Sequence, residues 1–174
     1  MKDQTIQSQN LTSIREITDH IRDINTQALS VIEACTEKQY QYTDKYASIG
    51  AHIRHVIEFM KALNNNQQDI DYDARLRDQK IETDQNFAAD QLNKETEILL
   101  QTLKTQDLTN TVIVTLDGMC TESTFGRELA ATLSHTIHHL AFMKLLADQQ
   151  NIKLDKNIGI APATLSYQMR IAAE

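Results

Sequence analysis

One segment of the chain, residues 133–140, reads Leu133-Ser134-His135-Thr136-Ile137-His138-His139-Leu140. Its apolar residues recur at the three- and four-residue spacing of an amphipathic α-helix, which predicts a long helix from about residue 126 or 127 to residue 149. On this helix His135 and His139 are four residues apart, so their imidazoles share one face, one turn from each other. His138 falls outside that face. The segment therefore predicts a core helix that carries a pair of metal ligands.

Three further segments have the same apolar periodicity. Helices are predicted over about residues 11–37, over residues 49–66 and around residues 92–103. The charged stretch 71–84 is predicted to be an ordered connection, because it has too few apolar residues to enter a core. Alternating residues 111–116 followed by Asp117-Gly118 predict a small hairpin that ends near residue 125. The proline at position 162 predicts the opening of a short final helix.

These elements predict an all-α fold: one domain, residues 1–174, folded as a four-helix bundle with a small β-hairpin before the last long helix. With one proline and four glycines in 174 residues, the composition favours helix over turn-rich folds. The two cysteines are isolated, so neither a disulfide framework nor a thiolate metal site is expected.

The charge and hydropathy of the chain exclude several classes of partner. A formal charge of -7 without a basic patch argues against nucleic-acid binding. No run approaches the roughly 18 apolar residues of a spanning helix, and the first residues lack the apolar core of a signal peptide, so a cytoplasmic protein without membrane contact is expected. The amphipathic helices also leave room for a face that forms a homodimer.

A second histidine cluster lies in the helix predicted after residue 49, where His52 and His55 are three residues apart. Periodicity alone favours His52 as an inward-facing residue, because His55 lies at the margin of the apolar stripe beside Phe59. Burying several unpaired imidazoles costs roughly 1–3 kcal/mol each, whereas one cation uses their nitrogens together. The two clusters therefore predict a site for a divalent transition metal: zinc, nickel, iron(II) or cobalt, all of which accept imidazole.

The chain resembles the DinB/YfiT-like family of metal-binding four-helix bundles. The resemblance rests on Ser48-Ile49-Gly50-Ala51-His52-Ile53-Arg54-His55, Tyr72-Asp73-Ala74-Arg75-Leu76-Arg77, Arg127-Glu128-Leu129, Ser134-His135-Thr136-Ile137-His138-His139 and Gly159-Ile160-Ala161-Pro162. In that family one histidine of the second helix joins an i, i+4 pair of the fourth in a three-histidine site. The resemblance thus implies His55, His135 and His139 as the metal ligands. It leaves two roles for His52: a residue that contacts one of the ligands without touching the metal, or an alternate ligand.

A metal held by three neutral imidazoles keeps open positions for water or substrate. Some members of the family look like thiol transferases, so the resemblance implies a metal-dependent enzyme that transfers a thiol to small electrophiles, or else a hydrolase. The alternative is a non-catalytic metal-binding protein or a structural helical bundle. The protease motif His-Glu-x-x-His is not met, because position 136 is threonine. The sequence singles out no catalytic acid or base and predicts no organic cofactor.

Three charged residues are candidates for binding a small-molecule substrate. Arg75 and Arg77, together with Asp73, could cover the mouth of the bundle and hold an anionic substrate, since arginine suits bidentate contact with carboxylates. Glu128 lies in the inward arc of the last long helix, about 10 Å along its axis from His135. That distance is too long for a shared ligand and short enough to orient a water or a substrate.

Overall fold

The computed structural model describes residues 2–43, 45–65 and 68–172, with side chains from residue 14 onward. The helices there are α1 Lys2–Ala34, α2 Glu37–Tyr40, α3 Ile49–Asn65, α4 Gln79–Thr83, α5 Gln85–Thr102, α6 Phe125–Gln149 and α7 Pro162–Ala172. The strands are β1 Asp69–Asp71, β2 Thr111–Leu116 and β3 Met119–Thr124. Asn66, the predicted end of the second helix, lies outside the described residues. Each helix within these ranges is too short or too polar to span a membrane.

Polar caps define where the two histidine-bearing helices begin. At the start of α3 the Ser48 hydroxyl accepts a hydrogen bond from the Ala51 N–H at 3.0 Å. At the start of α6 the Thr124 hydroxyl accepts one from the Arg127 N–H at 3.3 Å. Each cap satisfies a donor that the first helical turn leaves unpaired. The sequence therefore sets the start of both helices, and with it the position of their histidines along each axis.

The three strands form one mixed sheet in the order β1-β2-β3. β1 runs parallel to β2, with Ile70 opposite Val114. β2 and β3 are antiparallel and are joined by a two-residue turn, Asp117-Gly118, in which both residues have positive φ, 51° and 73°. This is the turn chemistry that a tight hairpin requires.

The predicted fold class, an all-α four-helix bundle with a hairpin, is wrong. The chain is mainly helical, but a third strand, β1, turns the hairpin into a mixed sheet. β1 has only three residues, with one buried side chain, Ile70, between two exposed aspartates, so it is too short to show the alternation over four to eight residues that marks a strand. Pairing with β2 also draws Tyr72 into the core, and Ile81 of α4 is fully buried. The charged stretch predicted to be a connection without core residues therefore contributes to the core.

The segment after β1 is fastened at both of its ends. The Asp73 carboxylate accepts hydrogen bonds from the backbone N–H groups of Asp117 at 3.0 Å and Gly118 at 2.9 Å. These two bonds favour the ionised carboxylate and hold the pKa of Asp73 below its ordinary value. Farther along, the Asp78 N–H donates to the Glu58 side chain of α3 at 3.1 Å. The segment is thereby tied to the hairpin turn and to the helix that carries the first histidine cluster.

α3 packs against α6, and α1 and α5 also contribute to the core. The inner face of α3 is buried as the sequence predicts, with Ile49, Ile53, Val56, Ile57, Met60 and Leu63 in the core. The inner face of α6 is buried with Leu129, Leu133, Thr136, Leu140, Met143 and Ala147. Four histidines flank these faces and lie half-buried at the margin of the α3–α6 contact: His52, His55, His135 and His139.

Candidate metal centre

Three imidazoles converge where α3 crosses α6. The Nε2 atom of His135 lies 2.8 Å from Nε2 of His55 and 3.1 Å from Nε2 of His139. One nitrogen from each ring lies within 4.8 Å of the others, and all three rings are half-buried. The structure thus brings together the three histidines predicted as ligands, in a cluster that could hold a metal ion. Their role as ligands stays a prediction.

The spacing of the ring nitrogens agrees with ligation of a single cation. Two imidazole nitrogens at about 2.0–2.1 Å from one ion lie about 2.9–3.4 Å apart for ligand angles of roughly 90–110°. The two separations at His135, 2.8 and 3.1 Å, are close to this range. These two separations are therefore compatible with His135 sharing one cation with each of the other two rings.

Aromatic rings form a wall on one side of the cluster. Phe59 of α3 stacks on the His135 ring with centroids 4.3 Å apart and lies 4.7 Å from the His55 ring. Tyr72, which follows β1, also stacks on Phe59, with ring centroids 4.8 Å apart. The sheet therefore supports the cluster through Tyr72. The sequence signals Phe59 only as a neighbour of His55, one turn along α3, and it signals Tyr72 only as part of the charged segment, without a place beside the cluster.

His52 lies behind the cluster and not within it. Its Nδ1 atom is 2.8 Å from Nδ1 of His139, on the side of that ring away from His135. If His139 binds a cation through Nε2, its Nδ1 carries the proton and donates it to His52, an arrangement that fixes both tautomer and ring orientation. Of the two predicted roles for His52, the geometry supports contact with the ligand His139 over direct ligation.

The environment keeps the cluster histidines neutral. Burial, reinforced by the neighbouring His135 and Arg75, lowers the pKa of His55 to about 4. Burial, reinforced by the other histidines, lowers the pKa of His139 to about 3. The pKa values of His52 and His135 are lowered as well, first by burial and then by His138. The neutral imidazole is the form that binds metal, so protons compete weakly for this site near neutral pH.

The metal-free protein is expected to lose stability as the pH falls from about 6.5 towards 4. In this interval an unfolded chain protonates its histidines, whose ordinary pKa is about 6.5, while folded His55 and His139 stay neutral. Protons therefore bind the unfolded state preferentially. Urea unfolding at pH 7.0, 5.5 and 4.5 would measure the effect, and a His55→Gln/His139→Gln variant is expected to have a shallower pH dependence. Equal slopes for both proteins would contradict this explanation.

Substitution of His52 is expected to weaken metal binding without abolishing it. Loss of the hydrogen-bond partner of a ligating imidazole typically costs about 10- to 100-fold in affinity. His52→Ala should fall in this range, and His52→Gln should recover part of the loss because its amide oxygen accepts the His139 N–H. Competitive titration against a chromogenic chelator measures both variants. An unchanged metal affinity in His52→Ala would show that His52 does not support His139. A loss as large as that caused by removing a ligand would instead show that His52 binds the metal directly.

The structure places the other predicted site residues differently. Arg75 reaches the cluster: its Nη1 atom lies 2.7 Å from Nδ1 of His55, and its guanidinium carbon is 5.4 Å from the centre of the Phe59 ring. Arg77 is exposed with φ at 50°, and within the described residues no hydrogen bond or ion pair joins it to another side chain. Only Arg75 of the two arginines is therefore positioned to act at the cluster.

Glu128 is buried at the start of α6, away from the three rings. Its Oε1 atom accepts a hydrogen bond from the Ser123 hydroxyl at 2.6 Å, and Tyr72 also hydrogen-bonds to it. The carboxylate thus links β3 to the aromatic wall. A contact with substrate stays a prediction for this residue.

Two open spaces border the cluster. A shallow groove of about 550 Å³ runs along α6 past His135 and is lined by Arg127, Ala130, Ala131, Ser134 and His138. An apolar pocket of about 300 Å³ lies on the far side of His52 between Tyr46, Phe142, Leu145 and Leu146. The groove offers a ligand access to His135, and the pocket offers access only to His52.

Comparison of the chain with protein-family models, with curated proteins and with solved structures finds no match. The resemblance to the DinB/YfiT-like family therefore stays a prediction, and the chemistry of the cluster rests on its geometry.

Proposed function

We propose that the protein binds a divalent transition metal through Nε2 of His55, His135 and His139 and uses it to join a low-molecular-weight thiol to a small electrophile. The observation that supports the metal site is the convergence of the three nitrogens, with separations of 2.8 and 3.1 Å at His135. Zinc, nickel, iron(II) and cobalt all suit three imidazoles. The choice of thiol transfer follows the resemblance to the DinB/YfiT-like family.

When bound, the metal would keep its full charge among three neutral ligands and so lower the pKa of a thiol or water in an open position. The residues of the chain would supply the rest. His52 would hold His139 in the tautomer that ligates through Nε2, and Phe59 would exclude water from one side of His135. The groove past His135 would admit the thiol and the electrophile.

A second candidate function is metal binding without catalysis. It is favoured by the origin of the ligands, because His55 comes from α3 and the other two from α6, two helices that pack against each other. A bound ion would tie these helices together and stabilise the fold. Such a protein would gain thermal stability from the metal and catalyse nothing.

The transferase is expected to accelerate conjugation of a small thiol to an aryl halide only when it contains metal. In that reaction the S–C bond forms, the halide leaves with its electron pair, and the thiol proton passes to solvent. Rates are compared for the protein loaded with each candidate metal, for the chelator-treated protein and for a His135→Ala variant treated in the same way. A loaded protein that gains thermal stability but is no faster than the stripped form would favour the non-catalytic function.

A further inference from the structure

The contact between Arg75 and His55 assigns a proton within the cluster. A guanidinium is always protonated and has only donors, so at 2.7 Å Nη1 of Arg75 donates to Nδ1 of His55. Nδ1 then carries a lone pair, and a neutral His55 bears its proton on Nε2. That atom lies 2.8 Å from Nε2 of His135, where it donates inward to the point at which a cation would bind.

Ligation requires the opposite arrangement. A metal bound to His55 through Nε2 needs the lone pair on that atom, so the proton must move to Nδ1. Nδ1–H would then face an N–H of Arg75 at hydrogen-bond distance, and two donors cannot share that contact. The observed Arg75–His55 contact and a metal on His55 therefore exclude each other.

Among the described residues the Asp73 carboxylate acts electrostatically on Arg75, but each of its oxygens already accepts a hydrogen bond from the hairpin turn. None of the ion pairs there includes Arg75, and its buried Nε atom has no hydrogen-bond partner. The lining of the neighbouring cavity, of about 270 Å³, includes acidic residues that accept backbone N–H groups. Glu58 accepts from Asp78 N–H, and Asp78 accepts from Lys80 N–H. The guanidinium thus keeps free donors at the edge of the cluster.

On the basis of the proposed metal site, we infer that metal binding releases Arg75 from His55 and makes its guanidinium a binding site for the carboxylate of a ligand held at the metal. The planar fork of donors matches a carboxylate in a bidentate contact. The stacked Phe59 ring and the fastened segment that carries Arg75 keep the released group near the cluster. The anion site therefore exists only in the metal-bound protein, and metal and carboxylate bind with positive coupling.

The first experiment compares Arg75→Met with Arg77→Met, which removes the same charge from an exposed position two residues away. Arg75→Met is expected to bind zinc or nickel about tenfold more tightly than the natural protein, because a competing contact is gone, and Arg77→Met should differ by less than about twofold. A residue that merely supports a ligand would show the reverse, a loss of affinity. Equal or weaker binding by Arg75→Met overturns the inference.

A second measurement does not depend on charge. Nitrogen NMR of the metal-free protein is expected to show His55 protonated on Nε2, and the zinc-loaded protein to show it protonated on Nδ1. The Nδ1–H form in the metal-free protein overturns the inference. If the natural protein binds no metal at all, the proposed function fails, whereas metal binding with either contrary result above refutes only the role of Arg75.

The carboxylate site is tested with acetate as the probe. Titration of the cobalt-loaded protein is followed in the visible spectrum, which responds to ligands that reach the metal. Acetate is expected to bind the Arg75→Met variant about tenfold more weakly than the natural protein, because a charge-assisted contact is lost. The Arg77→Met variant should match the natural protein. Equal acetate affinity in all three proteins overturns the inference.

Discussion

Replacing His135 with alanine is expected to reduce metal affinity by more than about a thousandfold, well beyond the 10- to 100-fold that follows loss of an outer partner. His135 is central to the cluster, since its Nε2 atom is the one that lies within 3.1 Å of Nε2 of both His55 and His139. Its removal leaves two nitrogens from different helices, which is too few for a tight site. Titration with zinc or nickel against a competing chelator measures the loss.

His138→Ala is the matched control for this experiment. His138 lies on the same helix three residues away, but it is exposed and does not belong to the group of converging nitrogens. Its substitution should change metal affinity by less than about twofold. A loss in His138→Ala as large as that in His135→Ala would show that the metal binds elsewhere on α6.

Gly159→Ala is expected to produce a large loss of stability. Gly159 has φ at 73°, and a Cβ there would lie 2.4 Å from the Ala141 backbone nitrogen and 2.5 Å from its Cα. These atoms belong to α6 beside His139, so the loop or the helix must shift. The combined strain and overpacking should cost about 3–5 kcal/mol, which lowers Tm by roughly 6–20 °C for a chain of this size. Thermal unfolding followed by circular dichroism measures the shift.

Gly118→Ala separates the cost of backbone strain from the cost of overpacking. Gly118 also has φ at 73°, but a Cβ there would meet nothing within 4 Å, because the residue lies at the tip of the hairpin. Only the backbone strain remains, at about 1–2 kcal/mol. If both substitutions lowered Tm equally, the close approach of Gly159 to α6 would contribute nothing.

Long periodic helices were the part of the fold most accessible from the sequence. α6 begins at Phe125, one residue before the earlier of the two predicted starts, and ends at Gln149 as expected. The hairpin could be predicted from Asp117-Gly118, because its tight turn requires positive φ at both positions and few residue types adopt it. β1 could not be predicted in this way, because the burial of Ile70 depends on a partner strand more than forty residues away. The missed strand changes the fold class, although it leaves the histidine-bearing helices where they were predicted.

The choice between His52 and His55 shows what periodicity cannot decide. Both residues flank the buried face of α3, and the apolar stripe alone favoured His52. The structure brings His55 to Nε2 of His135 and directs His52 to the opposite side of His139. Which of them joins the cluster depends on how α3 and α6 are rotated against each other, and this rotation is set by packing across the whole interface. The contact of Arg75 with His55 could likewise not be predicted from the sequence, because it arises from the fold of the segment after β1.

The two hydrogen bonds from the hairpin turn to Asp73 have a consequence for how this protein could diversify. They couple the outermost loop of the sheet mechanically to the arginine at the rim of the histidine cluster, two residues farther along the chain. Substitutions in that loop, or a molecule that binds it, would reposition Arg75 without changing the imidazoles. Relatives could in this way acquire new ligand preferences by evolving a surface turn, with the inner coordination chemistry preserved.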